Sequence, residues 1–88
     1  MAKVTIYTRP GCGYCVRAKQ LLVSKGIDYN EYNVWAKDEY MQEMLKRSGG
    51  STTVPQIFIN GDHIGGSDDL LALDRAGHLD PLLEQASA

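Results

Sequence analysis

Hydrophobic and polar positions alternate first over residues 3–8, with Val4 and Ile6 on one side and Thr5 and Tyr7 on the other, the period of a strand. Pro10-Gly11 breaks that run. Over 13–25 the period lengthens: Cys15, Ala18, Leu21 and Leu22 recur at helical spacing, and Arg17, Lys19 and Lys25 point outward. Lys25 falls in the last turn, where a cation suits the helix dipole, and Gly26 is placed to end the helix. Tyr29, Glu31, Tyr32 and Val34 predict a second strand over about 28–34. The β-α-β unit so formed is long enough for a parallel crossover.

Tyr40, Met41, Met44 and Leu45 give residues 38–46 one apolar face, so a second helix is expected there, stopped by Ser48-Gly49-Gly50-Ser51. Residues 56–59 form a short apolar strand, and Asn60-Gly61 is a strong hairpin signal leading to a partner strand over 62–65. Gly65-Gly66-Ser67 then turns into a third helix, with Ser67 as the expected N-cap and Asp68 and Asp69 in the first turn. Leu70, Leu71 and Leu73 should face inward, with Gly77 at the end. A last helix is expected from Asp80, with Pro81 in its first position and Leu82, Leu83 and Ala86 inward. No repeat or linker interrupts the order β-α-β-α-β-β-α-α. It predicts one α/β domain over 1–88, a mixed sheet with helices on both faces.

Composition narrows the classes. Eighty-eight residues permit a modest core, and a 43 % hydrophobic share argues against disorder or a fibre. Nine basic and 11 acidic residues give a net charge of −2 with no basic block, so phosphate-driven nucleic-acid binding is unsupported. No apolar run reaches 18 residues and no signal-peptide pattern follows Met1. The expectation is a soluble cytoplasmic protein without a membrane role, whose thiols stay reduced unless a reaction oxidises them.

Both cysteines lie in one C-x-x-C, Cys12 and Cys15, directly after the first strand. That placement suggests dithiol redox chemistry. A free cysteine titrates near 8.5, and the start of a helix can lower that by roughly 1.5 units through unpaired N–H groups and the dipole. Cys12 stands at the helix mouth and reads as the attacking thiolate. Cys15, one turn in on the face of Ala18 and Leu22, reads as the shielded resolving thiol. Arg9 can add attraction for an anion. A zinc site would need two more ligands, and His63 and His78 are not at finger spacing. A purely structural bridge would close too short a loop to contribute much entropy.

Two further stretches allow both a bland and a functional reading. Pro55 in Thr52-Thr53-Val54-Pro55 is, on general frequencies, an ordinary trans proline entering a strand, since only about 5–6 % of X-Pro bonds in folded proteins are cis. A cis turn would instead expose the Val54 main chain beside the cysteines for pairing with a substrate backbone. The start of the third helix is either a simple cap or a place for a carboxylate on its N–H groups, with Asp68 facing an ammonium.

Cys12-Gly13-Tyr14-Cys15, Thr53-Val54-Pro55 and Gly65-Gly66-Ser67-Asp68-Asp69-Leu70, in that order and preceded by Tyr7-Thr8-Arg9, resemble the glutaredoxins from Val4 to Leu83. The likeness is to small bacterial dithiol members. It implies a thioredoxin-like fold with strand order 2-1-3-4, the last two pairings antiparallel, and a cis Pro55. It implies a glutathione-dependent thiol–disulfide oxidoreductase, monomeric, acting on disulfide-containing or glutathionylated proteins, with ribonucleotide reductase a common family partner. Cys12 would form the mixed disulfide with glutathione and Cys15 would resolve it. Thr53, Val54 and Pro55 would pair with the tripeptide backbone, Ser67 and Asp68 would hold the γ-glutamyl end, Arg9 would meet the glycyl carboxylate, and Tyr14 would line the cleft.

Two departures stand out. Gly13 replaces the proline of the common C-P-Y-C centre, which should alter the redox potential. Small residues there are associated with glutathione-ligated [2Fe-2S] clusters bridging two chains, so a cluster carrier with Cys12 as ligand is the alternative reading. Trp35 stands where a polar residue is expected after the second strand, and no role is assigned to it.

Overall fold

In the computed structural model, which describes residues 2–85, the chain forms a four-stranded sheet and four helices. In chain order these are β1 (Val4–Thr8), α1 (Gly13–Ser24), β2 (Asn30–Asn33), α2 (Asp38–Ser48), β3 (Gln56–Ile59), β4 (Asp62–Gly65), α3 (Ser67–Arg75) and α4 (Leu79–Glu84). The sheet order is β2-β1-β3-β4. β1 and β2 are parallel, while β1–β3 and β3–β4 are antiparallel. This is the topology implied by the resemblance. The expected inward Ala86 lies outside the described residues.

β1 is central and buried on both faces, which sorts its side chains into two cores. Val4 and Ile6 join Ala18 and Leu22 of α1, Ile57 and Ile59 of β3, Leu70 of α3, and Leu79 and Leu83 of α4. Tyr7 points the other way and packs with Val34, Phe58 and Met44 of α2. Each fully buried side chain of this size contributes about 1.5–3 kcal/mol, so both faces of the sheet are fixed by ordinary apolar burial. The Tyr7 hydroxyl is held between Glu43 and Arg47 of α2, donating to the carboxylate and accepting from Arg47 Nη1 at 2.9 Å. Burial, then the bond to Glu43, pushes its pKa up to about 12.

Several boundaries depart from the sequence expectations. β2 shortens to four residues because β1 offers partners only to 30–33, from Thr5↔Asn30 to Thr8↔Asn33. α2 runs on to Ser48, where Gly49 takes a left-handed φ of 74°. α1 stops at Ser24: Gly26 adopts φ 68°, its N–H donates to Val23 O at 2.9 Å, and the Ile27 N–H reaches back to Leu22 O at 3.0 Å. Lys25, just past that end, bonds Asp74 of α3 at 2.7 Å and Asp80 of α4 at 2.6 Å. Those bonds, Asp74 first, hold its ammonium above the usual lysine range. α4 begins at Leu79, which puts Pro81 third rather than first, a position whose N–H has no helical partner to lose. Leu70 is buried as expected, but Leu71 and Leu73 are only partly so.

Candidate functional site at the head of the sheet

The topology brings four chain segments to one edge of the sheet. β1 and β2 end there, at Thr8 and Asn33, while β3 begins there at Gln56 and β4 ends there at Gly65. Following the strand order across that edge gives Trp35, then Arg9 and Cys12, then Val54-Pro55, then Gly66 and Ser67.

Cys12 is the N-cap of α1, with extended backbone (φ −97°, ψ 104°) after a left-handed Gly11. Its carbonyl accepts the first helical bond, from Val16 N–H at 3.2 Å, and its Sγ accepts the Cys15 N–H at 3.1 Å. A sulfur therefore fills the place that a Ser or Asp oxygen usually fills, and a thiolate there meets a backbone donor and the positive end of the helix. Cys12 and Cys15 are joined as a disulfide. Cys12 is partly exposed, whereas Cys15 is 2 % exposed, packed inside α1 as the helical spacing predicts. Gly13 opens the helix with free space around its Cα, so no packing contact demands a glycine there.

On the β3–β4 side lies a cleft of about 350 Å³ lined in part by Tyr14, Thr53, Val54, Pro55, Ser67 and Asp68. The Val54–Pro55 peptide is cis, as the family resemblance implied and general frequencies did not. Val54 O lies 3.8 Å from Cys12 Sγ. Behind it, Gln56 Nε2 donates to Thr53 O at 3.0 Å and Thr53 Oγ1 at 3.2 Å, and Gln56 Oε1 meets His63 Nε2 at 2.6 Å. Sequence reasoning missed this brace under the Thr53–Pro55 loop. Its one signal was a polar Gln opening an apolar strand.

The far end of the cleft corrects the expected cap. Gly66, not Ser67, is the N-cap of α3, and its N–H donates to Asp69 Oδ2 at 3.0 Å. Gly65 reaches this turn with φ 118°, and a Cβ on it would run into the Asp69 carboxylate. Ser67 becomes the first helical residue, 4 % exposed, and its Oγ has no hydrogen-bond partner among the described residues. Asp68 is exposed beside it.

On the β2 side, a second groove of about 470 Å³ is lined by Arg9, Cys12, Lys19, Glu31 and Asn33, among others. Burial alone would raise the Glu31 pKa, but the Thr8 hydroxyl at 2.7 Å and the Lys19 ammonium at 3.0 Å outweigh it and hold the carboxyl below its usual range. Arg9 is exposed, with its guanidinium carbon 5.3 Å from the centre of the Trp35 ring. The structure thus gathers all nine sequence-predicted site residues on one edge, but divides Arg9 from the Tyr14–Asp68 cleft, with Cys12 between them.

Three comparisons bear on this arrangement. A family model described as Glutaredoxin matches residues 4–64. Glutaredoxin 3 of Escherichia coli strain K12 is 57 % identical over 84 residues, covering 96 % of this chain and 100 % of that protein. Among solved structures, the solution structure of a glutaredoxin from Brucella melitensis matches with a TM-score of 0.81 at 55 % identity, covering 96 % of this chain and 90 % of that one. A buckwheat glutaredoxin–glutathione complex matches with a TM-score of 0.83 at 33 % identity, covering 93 % of this chain and 76 % of that one. With its thioredoxin-like sheet and its single cysteine pair at the mouth of α1, the chain belongs to the glutaredoxin family of thiol–disulfide oxidoreductases.

Proposed function

We propose that the chain uses glutathione, reducing protein disulfides and protein–glutathione mixed disulfides through Cys12. The observation that carries this reading is the position of Cys12 between two polar features on opposite sides. Arg9 lies toward β2, and the unpartnered Ser67 hydroxyl at the start of α3 lies toward β4. Glutathione has the matching layout, a central thiol with a carboxylate at each end. In this reading the γ-glutamyl carboxylate takes the Ser67 hydroxyl and the α3 N–H groups, with Asp68 facing its ammonium. The Thr53–Pro55 main chain pairs with the cysteinyl backbone, Tyr14 covers it, and Arg9 meets the glycyl carboxylate. The buckwheat relative in complex with glutathione supports the same choice of ligand.

The chemistry follows from the two sulfurs. The Cys12 thiolate attacks the glutathione-side sulfur of a mixed disulfide, and the target leaves as a thiolate. A second glutathione thiolate attacks the glutathione sulfur now bonded to Cys12, restoring Cys12 and forming glutathione disulfide. With a protein disulfide, Cys12 first bonds one target sulfur. Cys15 then attacks the Cys12 sulfur, which frees the target dithiol and leaves the Cys12–Cys15 disulfide for two glutathiones to reduce.

The described residues do not fit a resident iron–sulfur cluster in a single chain. They contain no group of three or more His, Cys, Asp or Glu side chains that could hold a metal, and of the two cysteines only Cys12 is partly exposed, so the alternative, a cluster bridging two chains, would take Cys12 from each chain and two glutathiones. The test of the proposal is a glutathione-coupled assay on both substrate types. Cys12→Ser should abolish all turnover, while Cys15→Ser should keep reduction of glutathionylated substrate and lose reduction of protein disulfides. Substantial activity in Cys12→Ser, or equal loss on both substrates in Cys15→Ser, would overturn the assigned roles.

A further inference from the structure

Arg9 and Trp35 leave adjacent parallel strands just past the Thr8↔Asn33 pair. The strand carrying the indole is fastened there by the Val34 N–H, which donates to Thr8 O at 2.9 Å. Trp35 is then set in a turn closed by Asn33: its own N–H donates to Asn33 Oδ1 at 2.9 Å, and the Ala36 N–H donates to Asn33 O at 3.0 Å. The side chain is 62 % exposed, so it is not part of either core. Among the described residues its one marked polar contact is the Arg9 guanidinium over its ring.

The geometry of a guanidinium gives that contact its meaning. Its N–H donors lie in the plane, and its face is available for stacking. An aromatic ring therefore holds the face and leaves the donors free, whereas a carboxylate partner would consume them. The carboxylate lining the same groove, Glu31, is already bonded to Thr8 and Lys19. Arg9 forms no ion pair among the described residues.

We propose that Trp35 is a positioning residue that fixes the Arg9 guanidinium with its in-plane donors directed to a substrate carboxylate beside Cys12. The inference rests on the glutathione reading above, in which that carboxylate is the glycyl one. A stacking contact of this kind at an exposed site corresponds to about a two- to fivefold change in affinity. It acts on the carboxylate end alone, not on the sulfur.

The test measures KM and kcat for a glutathionylated peptide and for the same peptide carrying glutathione glycinamide, which lacks the glycyl carboxylate. Trp35→Ala should raise KM about fivefold for the first with kcat within twofold, and leave both constants unchanged for the second. Trp35→Phe should recover part of the loss. In an Arg9→Ala background, Trp35→Ala should add nothing. Trp35 is the only tryptophan, so its fluorescence reports the same event: S-methylglutathione should change it and the glycinamide of S-methylglutathione should not. The positioning role is overturned if Trp35→Ala shifts both substrates equally, or shifts neither while the unmutated protein still prefers the free carboxylate. If the unmutated protein does not distinguish the two adducts, Arg9 reads no glycyl carboxylate and the positioning role falls. If it turns over neither adduct, the glutathione reading itself falls.

Discussion

Two helices begin at the working edge of this molecule, and they begin differently. At α1 the capping position belongs to Cys12, and its sulfur occupies the Cys15 N–H. At α3 the capping position belongs to Gly66, which has no side chain to fold back over the helix, and the first hydroxyl inside, Ser67 Oγ, is buried without a partner among the described residues. A helix start is a site of unsatisfied donors in either case. The first is filled by the chain's own reactive atom, which makes that atom a better anion. The second is left open, which is what the proposed seat for the γ-glutamyl carboxylate requires. One fold rule thus places a sulfur at one helix start and leaves open donors at the other.

That contrast can be broken most severely at Cys12. Cys12→Ser should remove turnover altogether, yet in the reduced state it should keep stability within about 1 kcal/mol of the parent, because a serine oxygen also caps the Cys15 N–H. Urea unfolding beside the activity assay separates the two effects. Next is the turn that presents the open helix start. Gly65→Ala forces a side chain into φ 118° and against Asp69, which should cost about 2 kcal/mol and lower Tm by about 10 °C. A Tm within 2 °C of the parent, an assay tolerance of about that size for a shift so small in energy, would show that the turn relaxes freely.

A sharper probe is Ser67→Ala. Removing a buried hydroxyl that has no partner should leave stability unchanged or raise it by up to ~1 kcal/mol, while a lost bond to a charged carboxylate should raise the glutathione KM about tenfold. Loss of stability with an unchanged KM would instead mark Ser67 as structural. The smallest effect concerns Glu31, behind Cys12. Its lowered pKa means that it stabilises the fold above the usual carboxylate value of 4.5, and that this contribution is lost as the pH falls through the lower folded value. Glu31→Gln should flatten the acid limb of a stability profile, by less than ~1 kcal/mol because the Lys19–Glu31 pair is partly exposed.

The fold was legible in the sequence because hydrophobic period, turn residues and helix stops agreed along the chain. Every expected element exists in the expected order, with ends shifted by a few residues, and the two sides of β1 went to two cores as the alternation of Ile6 and Tyr7 required. The reactive pair was legible for a similar reason: Cys12 and Cys15 are three apart at a helix start, so their unequal exposure follows from helix geometry. What stayed hidden was set between segments. The end of β2 depends on where β1 stops offering partners, and the cap of α3 moved to Gly66, whose N–H donates to Asp69 Oδ2 just past the tight, left-handed Gly65. The isomer of Pro55 is a choice that local residue physics left open and the family resemblance did not. Trp35 and Arg9 lie 26 positions apart, and nothing in either neighbourhood announced their contact.

The near-complete burial of Cys15 has a kinetic consequence. In the proposed reaction, both the molecule to be reduced and the one that supplies electrons would enter by the same doorway, at the neighbouring sulfur, since the inner one offers 2 % of its surface. The two half-reactions therefore take turns, and initial-rate plots with both partners varied should run as parallel lines.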